Sequence, residues 1–508
     1  MNQFFFENCC YYDDKNNKHD GEFLLNHKIF DKDYFNINEK GKIIITKSFY
    51  REKENITGVV VLNNTTYGKY KNKFLYKCIP TNKNLPNFLI PFEKKYNFYK
   101  NPEKLYILFK YDSWNTSHPQ GILLETFGNV ENFSAYCKYL LYSKDLFFSL
   151  KNQIKYLNSN HDDTEIENIE DRSETHKVFT IDPENCKDFD DAFSVDNDKI
   201  TIYIANSPII LDKLNLWDYI CQISSIYLPG QTRNMLCPQL SENWCSLVSD
   251  NKKKMTFFME FDTKTSEIKF GICYIKIMRN YIYEEKELLN DKNYQYLYHF
   301  VSSIESSEID SHNVVAYYMM FMNQKCAKLL NKGIFRSTET LNKRWNCDLL
   351  NEIFSYCGIY TLEKKEHESL KIKEYGHFTS PIRRVVDIIN LIQLQEQLNL
   401  WKFTDNAKIF CERWMEKINI INDQTKKIKK IQTNCFLLNN LENNEKTKCL
   451  VIENPRENNY IVYSIDFRFF SNLKSTTKFN IGEEIFCKII KINNENDIKK
   501  KIRLSIIT

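Results

Sequence analysis

The chain has 508 residues, 42% of them hydrophobic and 27% charged; it is too long for one core and too apolar to be wholly disordered. With only 12 Gly and 11 Pro, collagen-like and glycine-rich architectures are excluded. The formal charge of +4 is nearly balanced, so a nucleic-acid partner would need locally placed basic residues rather than a bulk excess. Sixteen cysteines are too sparse for a disulfide scaffold. Without a CxxC pair they read as free thiols in a reducing compartment, and a structural zinc site is not expected. No basic-then-apolar leader and no stretch of 18 apolar residues is present. The expectation is an intracellular protein, cytoplasmic or nuclear, neither secreted nor membrane-spanning.

Residues 1–40 are polar and mixed, and read as an N-terminal extension. From Lys42, short runs such as KIIIT, GVVVLNN, NFLIPF and KLYILFKY alternate with turn residues, the pattern of a small β-barrel over 41–140. SKDLFFSLKNQIKYL has helical spacing, and 158–176 is acidic and linker-like, which makes 141–176 a helix followed by a linker. Residues 177–210 predict strand, loop, strand, strand. A helix is predicted from Ser311 as N-cap to Gly333 as C-cap. Further helices follow SPIRR and run through 404–433, closed by KKIKK. Short strands return over 441–508 as a second small barrel.

Two segments carry chemistry. Between Asp182 and Asp191, five acids stand against one base. Two carboxylates ~4 Å apart repel by about 4 kcal/mol at an effective dielectric near 20. Such a loop must diverge into water, protonate or hold cations, and hard oxygen donors suit Mg²⁺ or Mn²⁺. A solvated acidic turn is the bland alternative. A calcium loop of the EF-hand kind lacks its sixth-position Gly and twelfth-position Glu. The second segment is Tyr375 to Asn390, with Ser380 as N-cap, Pro381 as first helical residue, and Arg383 and Arg384 beside amides able to receive phosphate. Its bland alternative is a helix start with two exposed arginines. Together, an acidic metal loop and a cationic helix start suit a phosphodiester and a two-metal scheme.

TIDPENCKDFDDAFSV and YGHFTSPIRRVVDIIN resemble the two signature segments of the ribonuclease II / ribonuclease R (RNB) exoribonuclease superfamily. The stretch IYLPGQTRNMLCPQLSENWCSL and the helix around Asn323 resemble it too, so the likeness covers roughly 175–400. FLIPFEKKYNF and the strands after it are similar to the second cold-shock barrel of the exosome-associated branch. The resemblance implies a multidomain chain with an α+β RNB catalytic domain over 177–440. Small β-barrels of the OB-fold flank it, cold-shock-like before and S1-type after. It implies that Asp182, Asp188, Asp190 and Asp191 hold Mg²⁺, with Mn²⁺ as the alternative. Asp190 and Arg383 would be catalytic. Tyr227, Arg383, Arg384 and Phe335 would bind RNA, Tyr227 by stacking on the 3′-terminal base. The implied reaction is 3′→5′ hydrolysis of single-stranded RNA to nucleoside 5′-monophosphates, with membership of an RNA-degradation complex left open.

The chain also departs from the pattern. Asn206 and Leu391-Ile392 stand where the family carries Asp and His-Arg, and Phe335-Arg336-Ser337-Thr338 replaces Tyr-Arg-Val-His. The spacings from Tyr283 to Val315 and from Phe335 to His367 are short, so processivity and product length are not carried over. Residues 1–40 look too short for a first cold-shock barrel. The rival readings are a catalytically degenerate RNA-binding or scaffold protein of the same fold, and a calcium-regulated β-protein.

Overall fold

The computed structural model describes residues 3–7, 10–13, 17–20, 27–40, 42–62, 65–94, 103–159, 166–305, 309–340 and 356–507. The chain divides into two compact units, one of residues 148–429 and one assembled from 1–147 with 430–508.

The second of these units holds three small sheets. The middle one has strands at Ile56–Val61, Lys73–Pro80, Phe88–Phe92, Lys104–Ser113 and Gln120–Asn129. Ile56–Val61 pairs with both Lys73–Pro80 and Lys104–Ser113, which closes the sheet into a barrel. Closure removes exposed edges, and Val60, Phe88, Ile90, Ile107 and Phe109 fill the interior. The C-terminal sheet places Lys446–Arg456 between Asn459–Ser464 and Glu484–Lys491, with Phe469–Lys474 and Ile502–Ile506 outermost. Burial alternates along Glu484–Lys491 as a half-buried strand requires. Its core is continuous with Val59, Tyr106 and Tyr136, and Lys501 donates to the Val130 carbonyl at 2.8 Å.

Residues 1–40 correct the sequence reading. Strands at Gln3–Glu7, Cys10–Tyr12, Lys18–Asp20 and Asp33–Ile37, with Ile43–Ser48, form a five-stranded antiparallel sheet. Its strand order is that of the C-terminal sheet. Phe6, Ile29 and Phe35 are buried in it. Buried Asp33 accepts from Phe30 N at 2.9 Å and Arg51 Nη1 at 2.9 Å, and from Ser48 Oγ. The strands within 1–40 have three to five residues and stand in a polar background, which is why they show no clear period, and the segment is a sheet rather than the expected extension.

The 148–429 unit is built on a seven-stranded sheet. Its spatial order is Glu170–Asp171, Ile268–Ile275, Lys254–Asp262, Lys199–Ala205, Asp191–Asp196, Val178–Asp182 and Ile277–Ile282. Neighbours are antiparallel except at the two outer pairs, Glu170–Asp171 with Ile268–Ile275 and Val178–Asp182 with Ile277–Ile282. The supposed linker therefore supplies an edge strand. Helix Ser311–Leu329 lays Tyr318, Met322 and Cys326 on the sheet beside Phe193. Its N-cap is Asp310, in a reciprocal capping box with Asn313, not Ser311, and its C-cap is Leu330, not Gly333. Helix Val385–Gln397 is buried over most of its surface, as expected of a helix apolar nearly all round.

Other helix boundaries also move. Phe133–Ser143 is helical, capped by Asn132, and Lys151–Ser159 follows after a break. The predicted helix over 404–433 is two, Asp405–Glu416 and Ile418–Asn440. KKIKK does not close the second, because Ile431, Cys435 and Leu438 continue its buried stripe.

Asn390 ties this unit together. Wholly buried, it accepts from Ile334 N at 2.8 Å and donates to the carbonyls of Ile334 at 2.8 Å and His377 at 3.0 Å. Asn390→Ala leaves those backbone groups unpaired and should cost about 2–4 kcal/mol. A lowered urea midpoint with an unchanged slope is the expected readout.

Candidate active site

The acidic segment begins at the end of strand Val178–Asp182 and ends at the first residue of strand Asp191–Asp196. Asn185 turns the loop at φ 65°, in the left-handed region that Asn tolerates. Ser246 pins its far side: its hydroxyl accepts from Phe189 N at 3.0 Å and donates to the Lys187 carbonyl at 2.8 Å. Leu247 N adds a bond to the Phe189 carbonyl at 3.0 Å.

This tethering turns Asp190 inward, where it is 2% exposed. One oxygen accepts from Ile382 N at 2.9 Å and the other from Arg383 Nε at 2.8 Å, across 193 residues of sequence. Arg383 Nη2 donates to Ser380 Oγ at 3.0 Å. The arginine side chain keeps 43% of its surface exposed, so one edge of the guanidinium is anchored and part stays accessible. Asp387, wholly buried, accepts from Ser380 N at 2.8 Å and from Arg384 Nη2 at 3.0 Å. Asn323 accepts from Phe378 N at 2.8 Å. Strand-like bonds from Val385 N to the Ile223 carbonyl and from Ser225 N to the Arg383 carbonyl, both 2.9 Å, bring in the segment bearing Tyr227. The Tyr227 hydroxyl donates to Asp188.

The expected helix start at Pro381 is not there. The helix begins at Val385, after Arg384 as cap. Ile382 N goes to Asp190, and Arg383 N and Arg384 N go to the Ser380 carbonyl at 3.2 and 3.0 Å. Amides so engaged do not form a phosphate cradle, and the accessible cation is the Arg383 side chain. Phe335, expected to clamp RNA, is 1% exposed and part of the sheet–helix core. A buried ring offers no face to a base, so that role is withdrawn. Arg384 faces Asp387, which makes it a support of the segment.

The carboxylates stand in each other's field. Burial pushes Asp190 up to about 7, against the pull of Arg383 and Ile382 N. Burial also raises Asp182, with the fields of Asp190 and Asp188 adding to it, and Asp191, with the field of Asp182 adding to it. Burial and Asp188 push the Tyr227 hydroxyl up. Among the described residues, no three Asp, Glu, His or Cys side chains already converge as a metal cage. Asp182 Oδ2 is nevertheless buried with no hydrogen-bond partner, and an all-carboxylate donor set fits Mg²⁺. Asp182, Asp188 and Asp191 are the oxygen donors that fit. Asp190, expected among the ligands, has both oxygens on nitrogen donors.

Several residues here were not singled out from the sequence. Cys186 Sγ lies 3.8 Å from an oxygen of both Asp182 and Asp188. Asn280 joins Thr180 Oγ1 and the Leu247 carbonyl, each at 2.9 Å. Ser246 and Asp387 act only by holding others, and such side chains leave no local pattern.

A family model described as "RNB domain" matches residues 170–299 and 356–400. One described as "Dis3-like cold-shock domain 2 (CSD2)" matches 75–145. Ribonuclease R of Helicobacter pylori is 23% identical over 363 residues, covering 53% of this chain and 53% of that protein. The chain thus spans about half the length of the curated relatives it matches. The solved structure of Mycoplasma genitalium RNase R with ribose-methylated single-stranded RNA covers 100% of both chains at a TM-score of 0.70 and 16% identity. Yeast Ssd1, described as a pseudonuclease, covers 97% of this chain and 81% of its own at a TM-score of 0.56 and 13% identity. At these identities the structural likenesses show the fold. No described helix is long and apolar enough to cross a membrane.

The raised carboxylates have a pH consequence. A group whose folded pKa lies above its unfolded value contributes stability in full below the unfolded value, near 3.9, and loses it as pH rises through the folded one. Metal-free protein should therefore melt progressively lower from about pH 4 to pH 8 through Asp190, Asp182 and Asp191. Mg²⁺ should recover part of the loss. Asp191→Asn should flatten the pH dependence and shrink the Mg²⁺ response, both read by thermal melting in EDTA and in Mg²⁺.

Proposed function

The chain belongs to the RNB exoribonuclease superfamily, and on that premise we propose that it hydrolyses single-stranded RNA from the 3′ end to nucleoside 5′-monophosphates. The observation that carries this reading is the Asp190–Arg383 joint, which sets an accessible guanidinium beside the acidic loop. Arg383 grips the scissile phosphate, and a guanidinium fork suits its oxygens. Asp190 fixes the arginine's aim from behind, and Asp387 and Ser380 fix the segment. Tyr227, tied to Asp188, receives the terminal base. Mg²⁺, or Mn²⁺, held by Asp182, Asp188 and Asp191, would supply activation of water and neutralisation of the leaving oxygen in a two-metal scheme. Barrels of the OB type suit sequence-tolerant feeding of a strand, by stacking and by contact with its charged backbone.

A degenerate, RNA-binding reading has one observation in its favour. Both Asp190 oxygens are already taken by Ile382 and Arg383. Purified protein with end-labelled oligo(A) decides between the two. Release of mononucleotides that EDTA stops and a 3′-block prevents supports the enzyme; binding without shortening supports the scaffold.

Asp190→Asn should lower the rate at least ~10²–10³-fold, as for loss of one strong transition-state stabiliser. Arg383→Lys retains the charge but loses the fork. Its turnover should drop more than its affinity for oligo(A) in EDTA.

A further inference from the structure

The acidic loop carries a soft donor that the two-metal scheme leaves unused. Cys186 is only half-buried, so solvent reaches it. Its Sγ stands 3.8 Å from Asp182 Oδ1 and 3.8 Å from Asp188 Oδ1. A thiol has one hydrogen and can serve only one of two acceptors at a time. The other oxygen of each carboxylate differs in its surroundings. Asp188 Oδ2 accepts from the Tyr227 hydroxyl, whereas Asp182 Oδ2 is buried without a hydrogen-bond partner. A buried carboxylate oxygen left so is costly unless a cation or a donor meets it. Among the described residues no three donors have yet closed into a cage. The two sulfur–oxygen separations nevertheless suit one shared ion. A tetrahedral ion bound to sulfur at ~2.3 Å and to a carboxylate oxygen at ~2.1 Å holds those two atoms about 3.6 Å apart.

We propose that Cys186, Asp182 and Asp188 together bind a thiophilic divalent cation, of the Zn²⁺ or Cd²⁺ kind, which competes with Mg²⁺ for the same carboxylates. Sulfur selects such ions, whereas Mg²⁺ prefers oxygen donors. The bound ion takes the place of the thiol hydrogen, which leaves to solvent as a proton. An ion held by sulfur occupies two of the three carboxylates assigned to Mg²⁺, so it blocks the catalytic set rather than completing it. The inference rests on the acidic loop as a holder of divalent cations, the reading proposed above.

The test is equilibrium binding of Cd²⁺ and of Mg²⁺ to the full chain without RNA, with Cd²⁺ followed also by the ultraviolet charge-transfer band of its bond to thiolate. Cys186→Ser should lower Cd²⁺ affinity about 10–100-fold and remove one thiolate's share of the band, while Mg²⁺ affinity changes less than about threefold. Cys221→Ser, which removes an exposed thiol outside the loop, should change neither. Asp188→Asn should weaken both ions. In the unaltered protein, Mg²⁺ should raise the apparent dissociation constant for Cd²⁺, which tests the shared carboxylates without any variant. Equal losses of the two ions in Cys186→Ser, no loss of Cd²⁺, or a Cd²⁺ affinity indifferent both to Mg²⁺ and to Asp188→Asn overturns the proposal. Shortening of oligo(A) in Mg²⁺ is scored separately. Cd²⁺ binding through Cys186 and Asp188 in a chain that shortens nothing refutes the nuclease reading and sustains this one. Uptake of neither ion overturns both.

Discussion

A carboxylate taken out of water is tolerated only where donors replace the water. Asp190 meets that condition through one backbone amide and one guanidinium, both from a segment nearly two hundred residues downstream. The joint does two things at once. It fixes where the 380–384 segment lies against the sheet, and it commits Nε of Arg383 while leaving part of that side chain open to solvent. A buried ion pair of this kind is weak as a source of stability and strong as a source of position.

The same device recurs around it. The turn preceding helix Val385–Gln397 has few regular backbone partners of its own. Asp387 holds it through Ser380, Asn323 through Phe378, and Asn390 through His377. Behind the helix, Asn206 and Gln395 exchange hydrogen bonds at 2.8 and 3.2 Å, both wholly buried. Each polar side chain faces a defined partner, and low surrounding polarity makes a mismatch costly. A non-helical turn is thereby held in one shape, which a site built on a single guanidinium requires.

The unit formed by the two chain ends uses repetition instead. Its N-terminal and C-terminal sheets share one strand order, with the first strand between the second and the fourth. The middle sheet adds the pairing of its third strand, Phe88–Phe92, with its fifth, Gln120–Asn129, which closes a barrel. Small sheets of this design bury one face and leave the other free, so exposed Phe74, Phe470 and Phe486 cost the fold little.

Residue order by itself determined the chemistry-bearing segments, because the charge density of 182–191 and the SPIRR run are local. It also determined the strand-rich stretches within 41–140 and 441–508, while strands Lys254–Asp262, Ile268–Ile275 and Ile277–Ile282 of the central sheet were not read from it. Most of the N-terminal sheet stayed hidden because two of its strands, Cys10–Tyr12 and Lys18–Asp20, have only three residues each and the stretch around them is polar. Which groups meet was decided by tertiary structure. Asp190 facing Arg383 rather than solvent, Phe335 sinking into the core, and the amides after Ser380 turning to a carboxylate and a carbonyl all depend on contacts from remote parts of the chain. Burial and hydrogen-bond partnership are properties of those contacts, and no window of sequence contains them.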